Sequence, residues 1–357
     1  MNFVYRDLAG PSLAPGGSVL CIGAFDGVHL GHRALLTCVR ERADALGLIP
    51  VAISFEPIPR AYFSHGRPLP RLAGVRDKIR LIADCGIERL LLLHFDEALA
   101  AMTAQDFVDR VIVARCGARE IRVGADFRFG HARRGDVATL RAAGSVSGFA
   151  VETFPNVKVD GARVSSSTIR AQLAAGEFDA AARGLGRRFA IGGRVVRGRQ
   201  LGRRLGYPTA NLPLGRRAVP LDGIFAVRVH GIGPNARAGV ASLGVRPTIA
   251  AEDGDRHGVE PVLEAHLFDF EDDLYGRRIN VEFVAKLRDE EKFADLDRLR
   301  VQMERDATAA RQILARGVDE NAKSGSDLRQ RPQPGRIPAF AAMMSDWRSR
   351  QPLTTNR

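Results

Sequence analysis

The sequence has few cysteines, few aromatic residues and no long apolar run. Its four cysteines (Cys21, Cys38, Cys85 and Cys116) form no CxxC pair and no metal-ligand spacing, which argues against a zinc site or a disulfide framework. No stretch approaches the roughly 18 consecutive apolar residues of a membrane span, and the N-terminal segment lacks the pattern of a signal peptide. We therefore expect a soluble protein of the reducing cytoplasm with buried, unpaired thiols.

Acidic residues are missing from one long, arginine-rich stretch. The formal net charge is +12, and ten arginines but no acid lie between Asp179 and Asp222. Such a basic surface suits nucleic acid, a membrane or an anionic small molecule. Aromatic residues make up only 6% of the chain and do not interleave with these arginines, so no base-stacking platform is apparent. We predict a phosphate-handling surface and neither a nucleic-acid nor a membrane partner.

The first half of the chain alternates short apolar runs with helical patterns. The runs SVLCIG, PVAISF, RLLLLHF and EIRVG are separated by segments with apolar residues at helical spacing. This order predicts a Rossmann-like α/β fold with a parallel, doubly wound sheet. A helix is expected from about Thr103 to Arg115, where Thr103 and Asp106 resemble a capping box.

The pattern changes after about residue 186, where period-two runs follow one another without intervening helices. It predicts a small antiparallel β-barrel closed by one helix with Phe293, Leu296 and Leu314 near one face, ending near Gly317. The polar, Pro- and Gly-rich remainder reads as a disordered tail. Because a single core stops growing at roughly 250–300 residues, we predict domains at 1–186 and 187–317 and a tail at 318–357.

A Gly-spaced loop with two histidines follows the first predicted strand. The segment GAFDGVHLGH runs from Gly23 to His32 and leads into the first helix, which is where an open parallel sheet binds ligands. The helix N-terminus offers free amide groups to an anion. His29 and His32 can donate hydrogen bonds to charge that develops during group transfer. The predicted phosphate site comprises Gly23, Phe25, Asp26, Gly27 and Gly31 besides the histidines.

Two further segments lie at predicted strand or helix ends. In RVSSSTIR, Arg163 and Arg170 flank a hydroxyl cluster at a helix start, and capping alone would need only one serine. We therefore add Arg163, Ser166, Ser167 and Arg170 to the phosphate site. The other segment is GADFRFG, from Gly124 to Gly130, on the same edge of the sheet.

A second Gly-rich, basic loop occupies residues 193–211. It lacks the GxxxxGK[ST] pattern, so it is not a Walker A loop. Thr209 and Asn211 offer hard oxygen atoms suited to Mg²⁺ beside ATP phosphates, although PTAN on its own would be a turn.

Together these motifs resemble bacterial bifunctional riboflavin kinase/FAD synthetases. GAFDGVHLGH, FEP, GADFRFG and RVSSSTIR look like the adenylyltransferase module over residues 17–186, and GYPTAN, GIFAVRV, GVASLGVRPTI, LEAHLFDF and DLYGRRINVEFVAKLRDEEKF follow the order and spacing of riboflavin kinases. The resemblance implies that ATP phosphorylates riboflavin to FMN and that a second ATP adenylylates FMN to FAD, releasing pyrophosphate.

The resemblance also implies roles for residues in the first module. His29 and His32 would stabilise the transition state of adenylyl transfer, and Arg163, Ser166 and Ser167 would hold ATP phosphates. The flavin nucleotide would lie beside Asp126, Phe127, Arg128 and Phe129.

In the second module the resemblance makes Glu264 the general base, with Asp269 as the alternative. Thr209 and Asn211 would hold Mg²⁺, and Arg246, Asp306 and Arg311 would border the flavin. The ATP phosphates would lie at Gly198, Gly202, Gly206 and Pro208.

Four positions depart from the family pattern; one of them, Ser167, stands where threonine is frequent and keeps the hydroxyl. Ala24 and Ile58 stand where asparagine and histidine are frequent, and Ser242 replaces a frequent asparagine. We expect altered contacts there rather than another reaction. The alternatives are a nucleotidyltransferase for another substrate with an appended barrel, and a basic nucleic-acid-binding protein; the first would lack the kinase motifs, and the second would carry exposed aromatics or recognition motifs.

Overall fold

The first half of the chain folds around a six-stranded parallel sheet. The computed structural model describes residues 3–324 apart from 65, 67, 199–201, 203, 204, 216 and 246–260, with only the backbone for 317–324. The sheet has the strand order β1-β4-β3-β2-β5-β6. Its strands are β1 (Val4–Tyr5), β2 (Ser18–Ile22), β3 (Ile49–Glu56), β4 (Arg89–His94), β5 (Ala118–Gly124) and β6 (Ala150–Phe154). The predicted parallel sheet is confirmed, because its central apolar runs are buried strands.

Helices follow the strands in alternation. They are α1 (Leu30–Leu46), α2 (Pro59–Tyr62), α3 (Val75–Ala83), α4 (Glu97–Ala101), α5 (Ala104–Asp106), α6 (Val137–Ser147), α7 (Ser166–Ala174) and α8 (Phe178–Leu185). Helix α5 begins at the predicted cap, where the Thr103 hydroxyl accepts a hydrogen bond from the Asp106 amide at 3.0 Å. It continues directly into a π-helical segment, Phe107–Arg115. A short antiparallel pair, β7 (Lys158–Val159) and β8 (Ala162–Arg163), precedes α7.

The second half forms a nearly closed antiparallel barrel, as predicted. Its strand order is β10-β13-β12-β11-β14-β9, and a bridge between Val196 and Asn211 brings the two ends together. The strands are β9 (Ala190–Arg194), β10 (Ala210–Pro213), β11 (Gly223–His230), β12 (Arg237–Val245), β13 (Pro261–Leu267) and β14 (Arg278–Arg288). Strand β10 was not expected, because its first two residues, Ala210 and Asn211, lie in the segment that the sequence assigned to a loop.

One helix, α9 (Leu296–Ser324), packs on the barrel. Its apolar residues Ala310 and Leu314 are buried against Ala226 and Phe268. The predicted packing face is wrong in part, because Phe293 precedes the helix and Leu296 is 56% exposed. The predicted end near Gly317 is also wrong, since the helix continues to Ser324.

Helices α7 and α8 share a hydrophobic core with the barrel rather than with the parallel sheet. Ile169, Leu173 and Phe178 belong to the same buried cluster as Phe225 and the other inward-facing barrel residues. The rings of Phe178 and Phe225 meet edge to face at 6.0 Å. The two halves are therefore joined by a packed element.

All four cysteines are buried and free, as predicted. Within the described ranges no helix combines the length and apolarity that crossing a membrane requires. Residues 325–357, the greater part of the predicted tail, lie outside the described residues.

Candidate active sites

The histidine-bearing loop between β2 and α1 has an unusual backbone. Phe25 and Val28 take positive φ angles of 48° and 40°, and Gly27 takes 77°. Such angles strain residues other than glycine and persist only where surrounding contacts fix them. A Cβ on Gly27 would also lie 2.8 Å from the Leu72 Cβ. The loop is therefore a tightly specified turn in which position 27 requires glycine.

His29 and His32 lie together at the start of α1. His29 is the N-cap, and its Nδ1 accepts a hydrogen bond from the His32 amide at 3.3 Å. The two imidazole rings stack with centroids 3.6 Å apart and an interplanar angle of 16°. Phe25, completely buried, meets the His32 ring edge to face at 5.2 Å. The side chain of Phe25 thus supports the His32 ring from the interior.

Both histidines are neutral at neutral pH. Burial, reinforced by the positive charge of Arg187, lowers the pKa of His29 from 6.5 to about 4. Burial and the neighbouring His29 lower the pKa of His32 well below its usual value. Because Nδ1 of His29 accepts a hydrogen bond, the proton of its neutral form resides on Nε2. The pair can therefore donate hydrogen bonds to an anion without carrying charge.

Asp26 anchors the loop from within the protein. Its carboxylate is 2% exposed and accepts hydrogen bonds from the Leu72 and Ala73 amides at 3.2 and 3.3 Å. Arg170 donates to it at 2.6 Å, and Arg71 lies 3.4 Å away. The carboxylate is thus fully engaged by protein donors, and its role in the predicted phosphate site is to hold the loop.

The three serines at the start of α7 have different hydrogen-bond partners. Ser165 is the helix cap, since its hydroxyl accepts from the Thr168 amide at 3.1 Å. Ser166 donates to the Asp26 carbonyl at 3.0 Å, and Ser167 accepts from Arg60 at 2.8 Å. Capping uses one serine, as the sequence argument required, while the next two contact the loop and a basic side chain.

The two arginines of this segment differ in exposure. Arg163 is 53% exposed and pairs with Asp126 at 2.6 Å. Arg170 is 11% exposed and is occupied by Asp26 and by the Pro70 carbonyl. Of the predicted pair, Arg163 is the one that solvent, and hence ATP, can reach.

In the segment from Asp126 to Phe129, polar side chains that face solvent alternate with aromatic side chains that pack inward. Asp126 and Arg128 are exposed, whereas Phe129 is 7% exposed and stacks on Phe127 with centroids 5.6 Å apart. Arg128 pairs with Asp136 at 2.7 Å. Asp126 also pairs with Arg163, so the segment meets the α7 side of the predicted phosphate site.

An aromatic cluster at the ends of β3 and β4 was missed by the sequence reasoning. Tyr62 and Phe63 are 37% and 53% exposed, and both rings meet Phe95 edge to face. Phe55 packs on Phe95 at 5.8 Å. The sequence signal that could have revealed this cluster is the adjacent aromatic pair Tyr62-Phe63 soon after FEP. The pair belongs to no periodic apolar pattern that would explain it as core.

Strand pairing defines the second site. Glu264 on β13 lies directly opposite Asn211 on β10 and Ser242 on β12. Residues directly opposite in antiparallel strands point to the same face, and Leu263 and Ala265 occupy the inner face. Glu264, Asn211 and Ser242 therefore share the outer face of the barrel. Ser242 donates to the Glu290 carboxylate at 2.9 Å.

The Gly-rich loop folds back over this face. A Cβ on Gly198 would lie 2.5 Å from the Asn211 side-chain oxygen, so the close approach requires glycine. Gly202 and Gly206 lie in a turn in which the Tyr207 amide donates to the Gly202 carbonyl at 2.8 Å. The Pro208 carbonyl lies 2.9 Å from Nδ1 of His266, two residues beyond Glu264 on the same face. The predicted loop residues thus border the Glu264 face.

The donor set on this face fits a hard cation. Nδ2 of Asn211 lies 3.4 Å from the Thr209 hydroxyl, so these two side chains converge, and Glu264 is opposite Asn211. Hydroxyl, amide and carboxylate oxygens are ligands that Mg²⁺ accepts. Among the described residues no group of three or more His, Cys, Asp or Glu could hold a metal, so a cation here would also need phosphate or water oxygens.

The predicted flavin contacts on α9 are engaged in ion pairs. Asp306, 6% exposed, pairs with Arg288 at 2.8 Å. Arg311 pairs with Asp269 at 2.9 Å and covers the Phe268 ring at 4.2 Å. The hydrogen bond from Arg311 holds the pKa of Asp269 below its usual value, so Asp269 accepts a proton less readily than an unpaired aspartate. Arg246 lies outside the described residues.

Family models match both halves of the chain: FAD synthetase over residues 12–168 and riboflavin kinase over residues 185–314. The chain is 46% identical over 299 residues to the bifunctional riboflavin kinase/FMN adenylyltransferase of Pseudomonas fluorescens, covering 84% of this chain and 94% of that one. The chain belongs to this bifunctional family. The Escherichia coli K12 member is 43% identical over 298 residues, covering 84% of this chain and 93% of its own.

A solved structure shares the fold of this chain. A chain described as a macrolide-efflux protein from Streptococcus pneumoniae superposes with a TM-score of 0.72 at 30% identity. The match covers 87% of this chain and 98% of that chain. The bifunctional riboflavin kinase/FMN adenylyltransferase family thus accounts for both halves of the molecule.

Proposed function

We propose that FMN is adenylylated at the His29–His32 loop and that riboflavin is phosphorylated at the Glu264 face. Family membership makes the protein a riboflavin kinase and FMN adenylyltransferase that uses ATP in both steps; the proposal concerns the residues. A domain boundary at residue 186 keeps α7 in the adenylyltransferase half, where Ser166 and Ser167 belong to the first site. The four free, buried cysteines suit a cytoplasmic enzyme.

The stacked, neutral histidine pair carries the adenylyl-transfer assignment. An FMN phosphate oxygen attacks the α-phosphorus of ATP, and the bond to the departing pyrophosphate breaks. His29, and His32 beside it, donate hydrogen bonds to the oxygens on which negative charge grows, while the free amides of α1 face the same anion. Arg163, the exposed arginine of the α7 segment, binds phosphate in place of Asp126 when ATP enters.

At the barrel, Glu264 takes the proton of the terminal ribityl hydroxyl as that oxygen attacks the γ-phosphorus and ADP leaves. Thr209 and Asn211 would hold Mg²⁺, which neutralises charge on the ATP phosphates. The loop glycines Gly198, Gly202 and Gly206 let the backbone lie close to those phosphates. Arg311 and the neighbouring face of α9 border the flavin, with Asp306 holding α9 through Arg288.

Separate assays of the two steps test these assignments. We expect wild type to convert riboflavin to FAD with ATP and Mg²⁺, His32→Ala to accumulate FMN, and Glu264→Gln to leave riboflavin unchanged while still converting added FMN to FAD. Asp269→Asn is the matched control for Glu264→Gln and should keep most kinase activity. FAD formation by His32→Ala at the wild-type rate would refute the assignment of the histidines. Kinase activity that is lost in Asp269→Asn but kept in Glu264→Gln would refute the assignment of Glu264.

A further inference from the structure

Arg187 reaches from the start of the barrel into the histidine-bearing loop. It follows Gly186, the C-cap of α8, and lies outside the FAD synthetase match but inside the riboflavin kinase match. Its guanidinium donates to the Gly27 carbonyl at 2.6 Å and to the Val28 carbonyl at 3.3 Å. A third hydrogen bond, to the Leu185 carbonyl at 3.3 Å, joins the same side chain to the last residue of α8.

The two carbonyls that Arg187 binds belong to the strained part of the loop. Gly27 and Val28 both have positive φ angles. At Val28 this conformation is sterically strained, and β-branched residues rarely adopt it. His29, the next residue, caps α1. A shift of these two peptide groups would therefore change where the His29 ring and the first amides of α1 point.

Other contacts hold the loop on its opposite flank. The Asp26 carboxylate binds the amides of Leu72 and Ala73, and Ser166 donates to the Asp26 carbonyl. None of these bonds reaches the carbonyls of Gly27 and Val28. Arg187 is thus the described side chain that fixes the half of the loop adjoining His29.

We propose that Arg187 is a positioning residue for adenylyl transfer, supplied by the kinase half of the chain to the loop that carries His29 and His32. The inference rests on the proposed role of these two histidines. Arg187 holds the Gly27 and Val28 peptides so that the imidazole donors and the α1 amides converge on the transferring phosphate. The adenylyltransferase site is accordingly incomplete without a residue of the riboflavin kinase segment.

Electrostatics support the same placement. Burial lowers the pKa of Arg187 to about 10, with repulsion from Arg33 and Arg80 opposed by Asp77, so the guanidinium stays charged at neutral pH. The charge of Arg187 in turn lowers the pKa of His29, together with Arg163 and against Asp26. Arg187 thereby helps keep His29 a neutral hydrogen-bond donor.

The test compares Arg187→Ala with Arg188→Ala in the full-length protein. Arg188 is the next residue and pairs with Asp179 at 3.1 Å, so its removal perturbs the same stretch without touching the loop. FMN adenylylation is measured from added FMN and ATP, and riboflavin kinase activity from riboflavin and ATP, with the same preparation. Arg187→Lys and the addition of guanidinium to Arg187→Ala provide the rescue arms.

In Arg187→Ala we expect kcat of adenylylation to fall about 10- to 100-fold, as for a small misplacement of catalytic groups. The KM for FMN and the kinase kcat should stay within about twofold, and guanidinium should restore part of the lost rate, because the missing interaction is two hydrogen bonds to carbonyls. Arg188→Ala should retain both activities, and Arg187→Lys should lie between wild type and Arg187→Ala.

Adenylylation unchanged in Arg187→Ala would overturn the proposal, and so would a parallel loss of both activities in Arg187→Ala and Arg187→Lys. If Arg187→Ala does not fold, Arg187→Lys decides: reduced adenylylation with full kinase activity supports the positioning role, and equal loss of both contradicts it. The assignment of the histidines fails separately, when His32→Ala adenylylates FMN normally whatever Arg187 does.

Discussion

The two proposed active sites are held in place by different kinds of interaction. The histidine-bearing loop is fixed by side chains from distant parts of the sequence: Asp26 binds Arg170, and Gly27 binds Arg187. At the proposed kinase site, Glu264 faces Asn211 and Ser242 because three strands pair in register. The first arrangement depends on individual side chains, and the second on a backbone ladder.

This difference predicts different responses to substitution. Removing a side chain that clamps the loop changes the geometry of the site, so residues without ligand contact matter for adenylylation. Removing a side chain from a paired strand leaves the backbone register intact. At the kinase face a substitution should therefore affect the chemistry of that one side chain, as proposed for Glu264→Gln.

Replacing Asp26 should have the largest effect. Asp26→Asn removes a buried charge and leaves Arg170 facing an amide, so we expect the free energy of unfolding to fall by about 3–5 kcal/mol, with adenylylation lost before kinase activity. The measurement is urea denaturation together with both assays. Asp160→Asn is the control, since its ion pair with Arg183 is 67% and 55% exposed and contributes at most about 1 kcal/mol. Equal destabilisation by the two variants would contradict the clamp.

Gly27→Ala separates steric exclusion from backbone strain. Gly27 and Gly47 both have positive φ, 77° and 65°, but a Cβ at position 27 meets Leu72 whereas nothing lies within 4 Å at position 47. We expect Gly27→Ala to reduce adenylylation about 10- to 100-fold while kinase activity is kept.

Gly47→Ala should cost about 1 kcal/mol of stability and leave both activities unchanged. Assays and thermal unfolding of the two variants check this pair of outcomes. If Gly47→Ala impaired adenylylation as much as Gly27→Ala, strain alone would explain the effect and the contact with Leu72 would be irrelevant.

The smallest expected effect is a pH dependence. Above pH 6.5 His29 is neutral in both the folded and the unfolded chain, so it contributes nothing to the pH dependence of the free energy of unfolding. As the pH falls from 6.5 towards 4, the unfolded chain binds a proton that the folded one excludes, so stability decreases. Asn at position 29 can still cap α1 but cannot titrate. Denaturation of wild type and His29→Asn between pH 8 and 4.5 should therefore show a steeper loss for wild type; identical slopes would contradict a depressed pKa.

The parts of the fold that the sequence predicted correctly are those with a local signal. Continuous apolar runs and their alternation with helical spacing identify the parallel sheet, and period-two runs identify the barrel. Strand β10 escaped because it is only Ala210–Pro213, adjoins a Gly-rich loop and contains a polar residue at its centre. Gly317 suggested a helix end, yet Glu320, Ala322 and Lys323, which favour helices, follow it, and one interior glycine costs only about 1 kcal/mol.

The candidate sites show the same limit. Motifs in the sequence predicted roles for His29, His32 and Glu264, but nothing in the sequence indicated that Asp26 would meet Leu72 and Ala73. Those partners are 46 and 47 residues away, and Arg170 is 144 residues away. Contacts over such separations follow from tertiary packing and have no local pattern.

Helix α7 has one consequence for how such enzymes can be divided or recombined. Its Ser166 contacts the loop of the first site, while Ile169 and Leu173 belong to the hydrophobic core of the barrel. A fragment that begins after α8 would leave Phe225 exposed to water, and one that ends before α7 would lose the hydroxyl bound to Asp26. A chimera that exchanges kinase halves between relatives must therefore carry α7 and α8 with a matched partner on each side.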